Sequence, residues 1–235
     1  MTKNTPTRSF LAMPPVSYGL ERYDQPMFDF KKERGDLYGS NSSPRVVDVP
    51  EMTFIAVDGV GDPNTGEDYS SAVQVIYGLS YAVKMGNKSV LEYVVAPLEG
   101  FWSVTDEDFR GGGSPIADKS AFVWTALIRQ PDFVTQDVFA STCDVVARKK
   151  PKLDLARARL VHFAEGLCAQ ATHLGPYDDE PATVAAIDAF AVEHGYAIDL
   201  GGGRRHHEIY LSDPRKVAPE KMRTILRHPI RGESI

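Results

Sequence analysis

Met52-Thr53-Phe54-Ile55-Ala56-Val57, followed at once by Asp58-Gly59-Val60-Gly61-Asp62-Pro63, is the stretch on which the fold turns. The first six residues are apolar, β-branched or aromatic and predict a strand, while the glycines and proline of the next six predict a turn. From Glu67 to Lys84, Tyr69, Val73, Ile76, Tyr77 and Tyr81 recur at the spacing of one helical face, so an amphipathic helix follows. Gly86-Asn87 supplies its stop. Val90 to Val95 then reads as a second strand and Phe101 to Val104 as a third, giving the order β-α-β-β.

The same order returns downstream. Arg159 to Thr172 suits a strand, His173 to Asp178 a turn, Pro181 to His194 a helix with Val184, Ile187, Phe190 and Ala191 inward, and His207 to Leu211 a strand. Matching Met52 to Leu167 and Glu92 to Glu208 gives offsets of 115 and 116 residues, which points to an internal duplication. The expected fold is therefore α+β: a tandem β-α-β-β repeat with pseudo-twofold symmetry, antiparallel sheets with helices on one side, and a ligand cleft between the halves. Ala121 to Arg129 reads as a further strand, Val134 to Lys149 as a helix and Pro219 to Leu226 as a short helix. Residues 1–45, broken by Pro14, Pro15 and Pro26, read as an extended arm before a body at 46–230, with halves at about 46–150 and 151–230.

Composition bounds the function. The 235 residues are 43% hydrophobic and 25% charged, the balance of an ordinary globular chain. A net charge of −6 gives no general pull toward nucleic acid or anionic lipid. The longest strongly apolar run, Ala121 to Ile128, falls far short of the roughly 20 residues that cross a bilayer. Two cysteines, Cys143 and Cys168, make no disulfide framework. The expectation is a cytoplasmic protein acting on a small molecule, without nucleic acid or membrane.

Several patterns invite chemistry and most have a plainer reading. Neither Gly111-Gly112-Gly113 nor Gly201-Gly202-Gly203 is followed by Lys-Ser/Thr, so both read as loops rather than phosphate cradles. Cys168 and His173 point to opposite faces of an extended strand, which favours a buried, inert cysteine. His206-His207-Glu208 places His206 and Glu208 on one strand face and His207 on the other, two ligands where a metal site needs a third from His162 or His173. No metal or cofactor is expected. Glu208 and Tyr210 share a face, with Ile209 and Leu211 turned toward the helices. Pooled with Tyr93, Trp102, Trp124 and Tyr177, they would form an aromatic pocket containing a carboxylate, although either Trp taken alone reads better as core.

His206 to Pro229, HHEIYLSDPRKVAPEKMRTILRHP, resembles the C-terminal signature of the GyrI-like small-molecule-binding family. Val49 to Asn64, Pro97 to Trp102 (PLEGFW) and Glu165 to Pro181 are similar to that family's other motifs in the same order. The resemblance implies a tandem effector-binding fold with the ligand between its halves. The stand-alone form resembles a subgroup that hydrolyses cyclopropane-bearing genotoxins with pocket glutamates and aromatics, although Ser103 stands where that subgroup often has a second aromatic. On this basis Glu208 is the expected general base, Glu99 a second candidate carboxylate, and Tyr93, Trp102, Trp124, Tyr177 and Tyr210 the expected ligand contacts. The alternative is a binding or sequestering module in which Glu208 anchors a cation.

Overall fold

The structure, a computed structural model, describes residues 27–104 and 121–232. In chain order its elements are α1 (Phe30–Glu33), α2 (Gly35–Tyr38), β1 (Arg45–Val60), α3 (Glu67–Gly86), β2 (Leu98–Val104), β3 (Phe122–Gln130), α4 (Gln136–Lys149), β4 (Arg159–Leu174), α5 (Glu180–Glu193), β5 (Tyr196–Ile198), β6 (His206–Tyr210) and β7 (Arg223–Gly232). The strands run β4-β1-β3-β2-β6-β7, and β4 pairs back onto β7, so six strands close into a barrel-like ring; β5 adds to the far end of β7. Every pairing between these strands is antiparallel.

Closure explains why the opening stretch lacks alternation. Met52 to Val57 are all buried. One face of β1 lines the barrel and the other lies beneath α3, whose Val75, Ile76 and Leu79 are fully buried. A strand covered on both sides reads as a continuous apolar run. On the opposite flank, Ile187 and Ala191 of α5 pack with Ala169, Ala171, Leu226 and Ile230 in a second, smaller core.

Gly166 adjusts β4 to the ring. Its φ of +67° is a left-handed conformation that favours glycine. Before it, Phe163 and Glu165 point inward, where Phe163 meets Phe54 and Glu165 meets Arg227; beyond it, Cys168 and Gln170 do so. The alternation therefore changes parity at this residue, while the pairing with β1 keeps one register on both sides of it.

Three expectations need correction. Val90 to Val95 forms no strand: only Tyr93 makes a bridge, to Phe28, while Val90 and Val94 are exposed. Both edges of β2 are already taken by β3 and β6, so the ring has no place there for another strand. The match of Glu92 to Glu208 thus set a loop against β6, a strand paired on both edges, to β2 and β7. Pro219 to Leu226 is not a helix but a single 3-10 turn, Pro219–Lys221, leading into β7. Of the proposed arm, residues 27–45 are described and belong to the body: Phe30, Leu37 and Tyr38 are buried on two short helices. Pro14, Pro15, Pro26 and Gly111-Gly112-Gly113 lie outside the described residues.

Candidate functional site

The pairing of β2 with β6 puts Leu98 opposite Tyr210, Gly100 opposite Glu208 and Trp102 opposite His206. These six share the outer face of the seam, because side chains two apart on a strand point the same way. They form the floor of a cleft of about 2170 Å³. Tyr69, Val73 and Tyr77 of α3 line one side, and Tyr177 with Val184 and Asp188 of α5 the other. This is ample room, since small-molecule sites commonly occupy about 300–1,000 Å³.

The expected orientation of β6 is half right. Glu208 and Tyr210 do share a face, but the helices flank that face as cleft walls, while His207 and Ile209 point into the barrel and are fully buried. Ile209 packs in the interior core because β6 belongs to a closed wall rather than to an open sheet with helices on its back.

A line of polar contacts crosses the floor. The Trp102 indole N–H donates to the Tyr210 hydroxyl at 3.1 Å, and that hydroxyl donates to Glu208 Oε2 at 2.7 Å. His206 Nε2 lies 3.2 Å from Glu208 Oε1, and His206 Nδ1 lies 2.9 Å from His228 Nε2. His228 Nδ1 in turn lies 2.6 Å from Asp188 Oδ1. The side chain of Glu208 is 16% exposed, so its carboxylate reaches the cleft while largely sheltered from water. Gly100 makes this approach possible: a Cβ there would stand 2.6 Å from the Trp102 indole nitrogen and 3.1 Å from the Tyr210 hydroxyl.

Aromatic rings complete the site. Tyr69 lies 5.7 Å from the Trp102 ring, and Tyr177 meets Tyr210 edge-on at 5.7 Å, spacings typical of paired aromatics. Burial, reinforced by the charge of Glu208, raises the pKa of Tyr210 well above the ordinary value. Burial together with the charges of Glu180 and Glu208 pushes Tyr177 up to about 12. Both hydroxyls therefore stay protonated near neutrality, that of Tyr210 donating to Glu208.

The other side of the same strands is a buried charge cluster. Glu99 Oε1 accepts from the Tyr38 hydroxyl at 2.9 Å, and its Oε2 lies 3.0 Å from His207 Nε2. His207 Nδ1 lies 3.0 Å from Glu165 Oε1, which also accepts from Arg227 at 2.5 Å. Arg227 Nε donates to Gln170 at 2.9 Å. Burial would raise the Glu165 pKa, but the His207 and Arg227 charges hold it down at about 2. His207 shifts the other way, its pKa raised because its two carboxylate neighbours outweigh burial.

The structure thus brings Glu208, Tyr210, Trp102 and Tyr177 together and leaves three expected site residues elsewhere. Glu99 does not reach the cleft: on β2 it alternates with Leu98 and Gly100 and points into the barrel, fully buried. Tyr93 is buried beside Phe133 and Trp124 beneath Tyr69, and neither lines the cleft. Sequence reasoning passed over Tyr69, which reads as one of several aromatics on a helical face, and also Asp188 and His228. Cys168 is buried, with burial pushing its thiol up to about 12, and His173 is held by Thr183 and the Pro176 carbonyl. Neither His162, bonded to Thr53, nor His173 joins His206, and no group of three metal-ligating side chains stands together among the described residues.

An α+β barrel-like ring with an aromatic cleft laid over one seam defines a domain for holding a small organic molecule. The chain matches the GyrI-like small molecule binding domain over residues 42–231 and belongs to that family. It is similar to an uncharacterized conserved protein from Listeria innocua, at 45% identity over 87% of this chain and 100% of that one, with a TM-score of 0.80. A hydrolase from Listeria innocua matches at 43% identity over 87% of this chain and 100% of that one, with a TM-score of 0.78. EcmrR in its complex with DNA shares the fold alone, at 13% identity over 86% of this chain and 61% of that one, with a TM-score of 0.50. No curated protein matches the chain. No helix among the described residues is long and apolar enough to cross a membrane.

Proposed function

We propose that the chain hydrolyses electrophilic small molecules, of the kind that carry a strained cyclopropane ring, in the cleft over the β2–β6 seam. The observation that carries this reading is the Glu208 carboxylate, sheltered from bulk water, held at one oxygen by Tyr210 and opening between Trp102, Tyr69 and Tyr177. In the reaction Glu208 takes a proton from a bound water. The water oxygen bonds to a ring carbon as the strained C–C bond opens, and the released electron pair passes into an adjoining carbonyl, where a tyrosine hydroxyl donates. The flat body of the substrate stacks on Trp102 and its neighbours. The similarity to a Listeria hydrolase over the whole of that chain supports this class of reaction.

In this reading the ring is two related units whose seam carries the ligand, and the protein works in the cytoplasm without nucleic acid. The pairing of β1 with β4 on one side and of β2 with β6 on the other is consistent with such a duplication. The size of the cleft favours one rival, a protein that binds and sequesters a large or cationic drug with Glu208 as the anchor.

Turnover separates the two. The wild type and Glu208→Gln are incubated with excess cyclopropane-bearing alkylating compound and the products are weighed by mass spectrometry. A product heavier by one water, formed many times per protein and slowed about 10²- to 10⁴-fold in the variant, is the expected result. Tight binding with no product assigns the cleft to sequestration.

A further inference from the structure

Glu208 does not stand alone in the cleft. From it runs an unbroken line of titratable side chains, Glu208, His206, His228 and Asp188, with successive contacts of 3.2, 2.9 and 2.6 Å. The line crosses three elements, β6, β7 and α5. Side-chain exposure is 16% at Glu208, 19% at His206, 6% at His228 and 38% at Asp188, and all four line the cleft, so the line climbs from its floor to its more exposed α5 wall. Each imidazole uses both ring nitrogens within the line. The expected third partners for a metal, His162 and His173, are engaged elsewhere, and the groups are strung out rather than gathered round a point.

We propose that these four residues form a proton relay from the floor of the cleft to its more exposed wall. The argument is a count of hydrogens. Each of the three contacts lies between two atoms that present lone pairs when unprotonated, so each needs one proton. With three protons the line satisfies every contact in either of two end arrangements. In one, Glu208 is protonated, both imidazoles carry hydrogen on Nδ1, and Asp188 is ionised. In the other, Glu208 is ionised, both imidazoles carry hydrogen on Nε2, and Asp188 is protonated. An imidazolium on either ring is the stage between. Passing from the first to the second moves one proton across each contact in the same direction. Each ring loses one and gains one, the total charge is unchanged, and no bonds other than O–H and N–H are made or broken.

The relay rests on Glu208 being the base of the reaction proposed above, and it supplies what that base lacks. Once Glu208 has taken a proton from water, a product stacked over the floor leaves its largely sheltered carboxyl little direct exchange with bulk solvent. The relay carries the proton to Asp188, from which water removes it. His206, His228 and Asp188 are positioning and transfer groups; none of them is required to touch the substrate.

Nitrogen-15 NMR of histidine-labelled protein tests the relay without any substrate. Asp188→Asn, a half-exposed helix position, should leave the fold intact and change the tautomer balance of His206, which Asp188 does not touch, as well as that of His228. A His206 spectrum identical in wild type and variant would overturn the proposal. Turnover of the cyclopropane-bearing compound gives a second reading: Asp188→Asn and His228→Gln should each lower kcat by between about tenfold and a hundredfold with KM unchanged. The double variant should fall no further, because the two act as one unit. Additive losses, or losses carried in KM, would also overturn it. If the wild type turns nothing over, the hydrolase reading fails while the His206 spectrum still decides the relay.

Discussion

His206 and His207 are neighbours in sequence and stand on opposite sides of the barrel wall: the first reaches Glu208 at 3.2 Å in the cleft, the second Glu165 at 3.0 Å in the interior. One short strand thus serves two polar systems that do not mix. The outer one faces the large cleft, and the inner one lies among the buried side chains of the barrel, with Glu165 edging a smaller cavity. Substitutions on the two faces should therefore differ in kind.

Glu165→Gln should cost about 3–5 kcal/mol of stability, since it leaves Arg227 and His207 as buried charges without their shared carboxylate. Glu208→Gln should cost about 1 kcal/mol or less, because the amide oxygen can still accept from Tyr210. Urea denaturation of both variants measures the difference. Equal losses would mean that Glu208 is as structural as Glu165.

The inner cluster also sets a pH window. His207 has a raised pKa, so its charged form adds stability that is complete below its ordinary value of 6.5 and is lost as pH rises through the folded value. Glu165 is held down at about 2, so it adds stability that is complete above its ordinary 4.5 and is lost as pH falls toward 2. Thermal melts across the pH range should show Tm highest between 4.5 and 6.5. In Glu165→Gln the acid decline should shrink. A wild-type Tm that climbs steadily from pH 6.5 to the alkaline limit would contradict this account.

Tyr210→Phe removes the donor to Glu208 and the acceptor for Trp102 in one change. A hydrogen bond to a charged group contributes about 1.5–3 kcal/mol, and the variant should lose stability in that range. Its tryptophan fluorescence should shift as the indole N–H loses its partner, and binding of an aromatic ligand should weaken. An unchanged spectrum would place the Trp102 indole elsewhere in solution.

Gly100→Ala should be overpacked, for its Cβ would stand 2.6 Å from the Trp102 indole nitrogen. Such insertions cost about 1–3 kcal/mol. The effect should fall on the cleft rather than on the fold, so ligand binding should suffer more than Tm. Calorimetric titration beside a thermal melt separates the two.

How much of this was legible in the sequence depends on whether a pattern was local. β1 and α3 could be read because their periodicity and the intervening glycine turn are local signals, and the alternation in His206-His207-Glu208 separated the two faces of β6 correctly. Glu99 could not be placed, because which face of β2 turns inward is decided by ring closure, a property of strands far apart in the chain. Val90 to Val95 had the composition of a strand and no edge to pair with. His228 was hidden for a related reason: Pro219 to Leu226 reads equally as a helix, and only its extension as β7 brings His228 beside His206. Tyr69 belonged to the apolar face of a helix, and nothing in that pattern distinguishes a core tyrosine from one that lines a cleft.

The closed ring has a further consequence for how the family can diversify. β2 and β6 are hydrogen-bonded along both edges, to β3 and β7 as well as to each other, so the floor of the cleft is fixed and cannot splay to admit a larger guest. Adaptation to new guests must come from the helical walls, at positions such as Val73, Tyr77 and Val184, which carry none of the polar contacts of the floor. The polar floor and these wall positions thereby sit on separate elements, and the range of molecules accepted can drift at the walls while the floor stays in register.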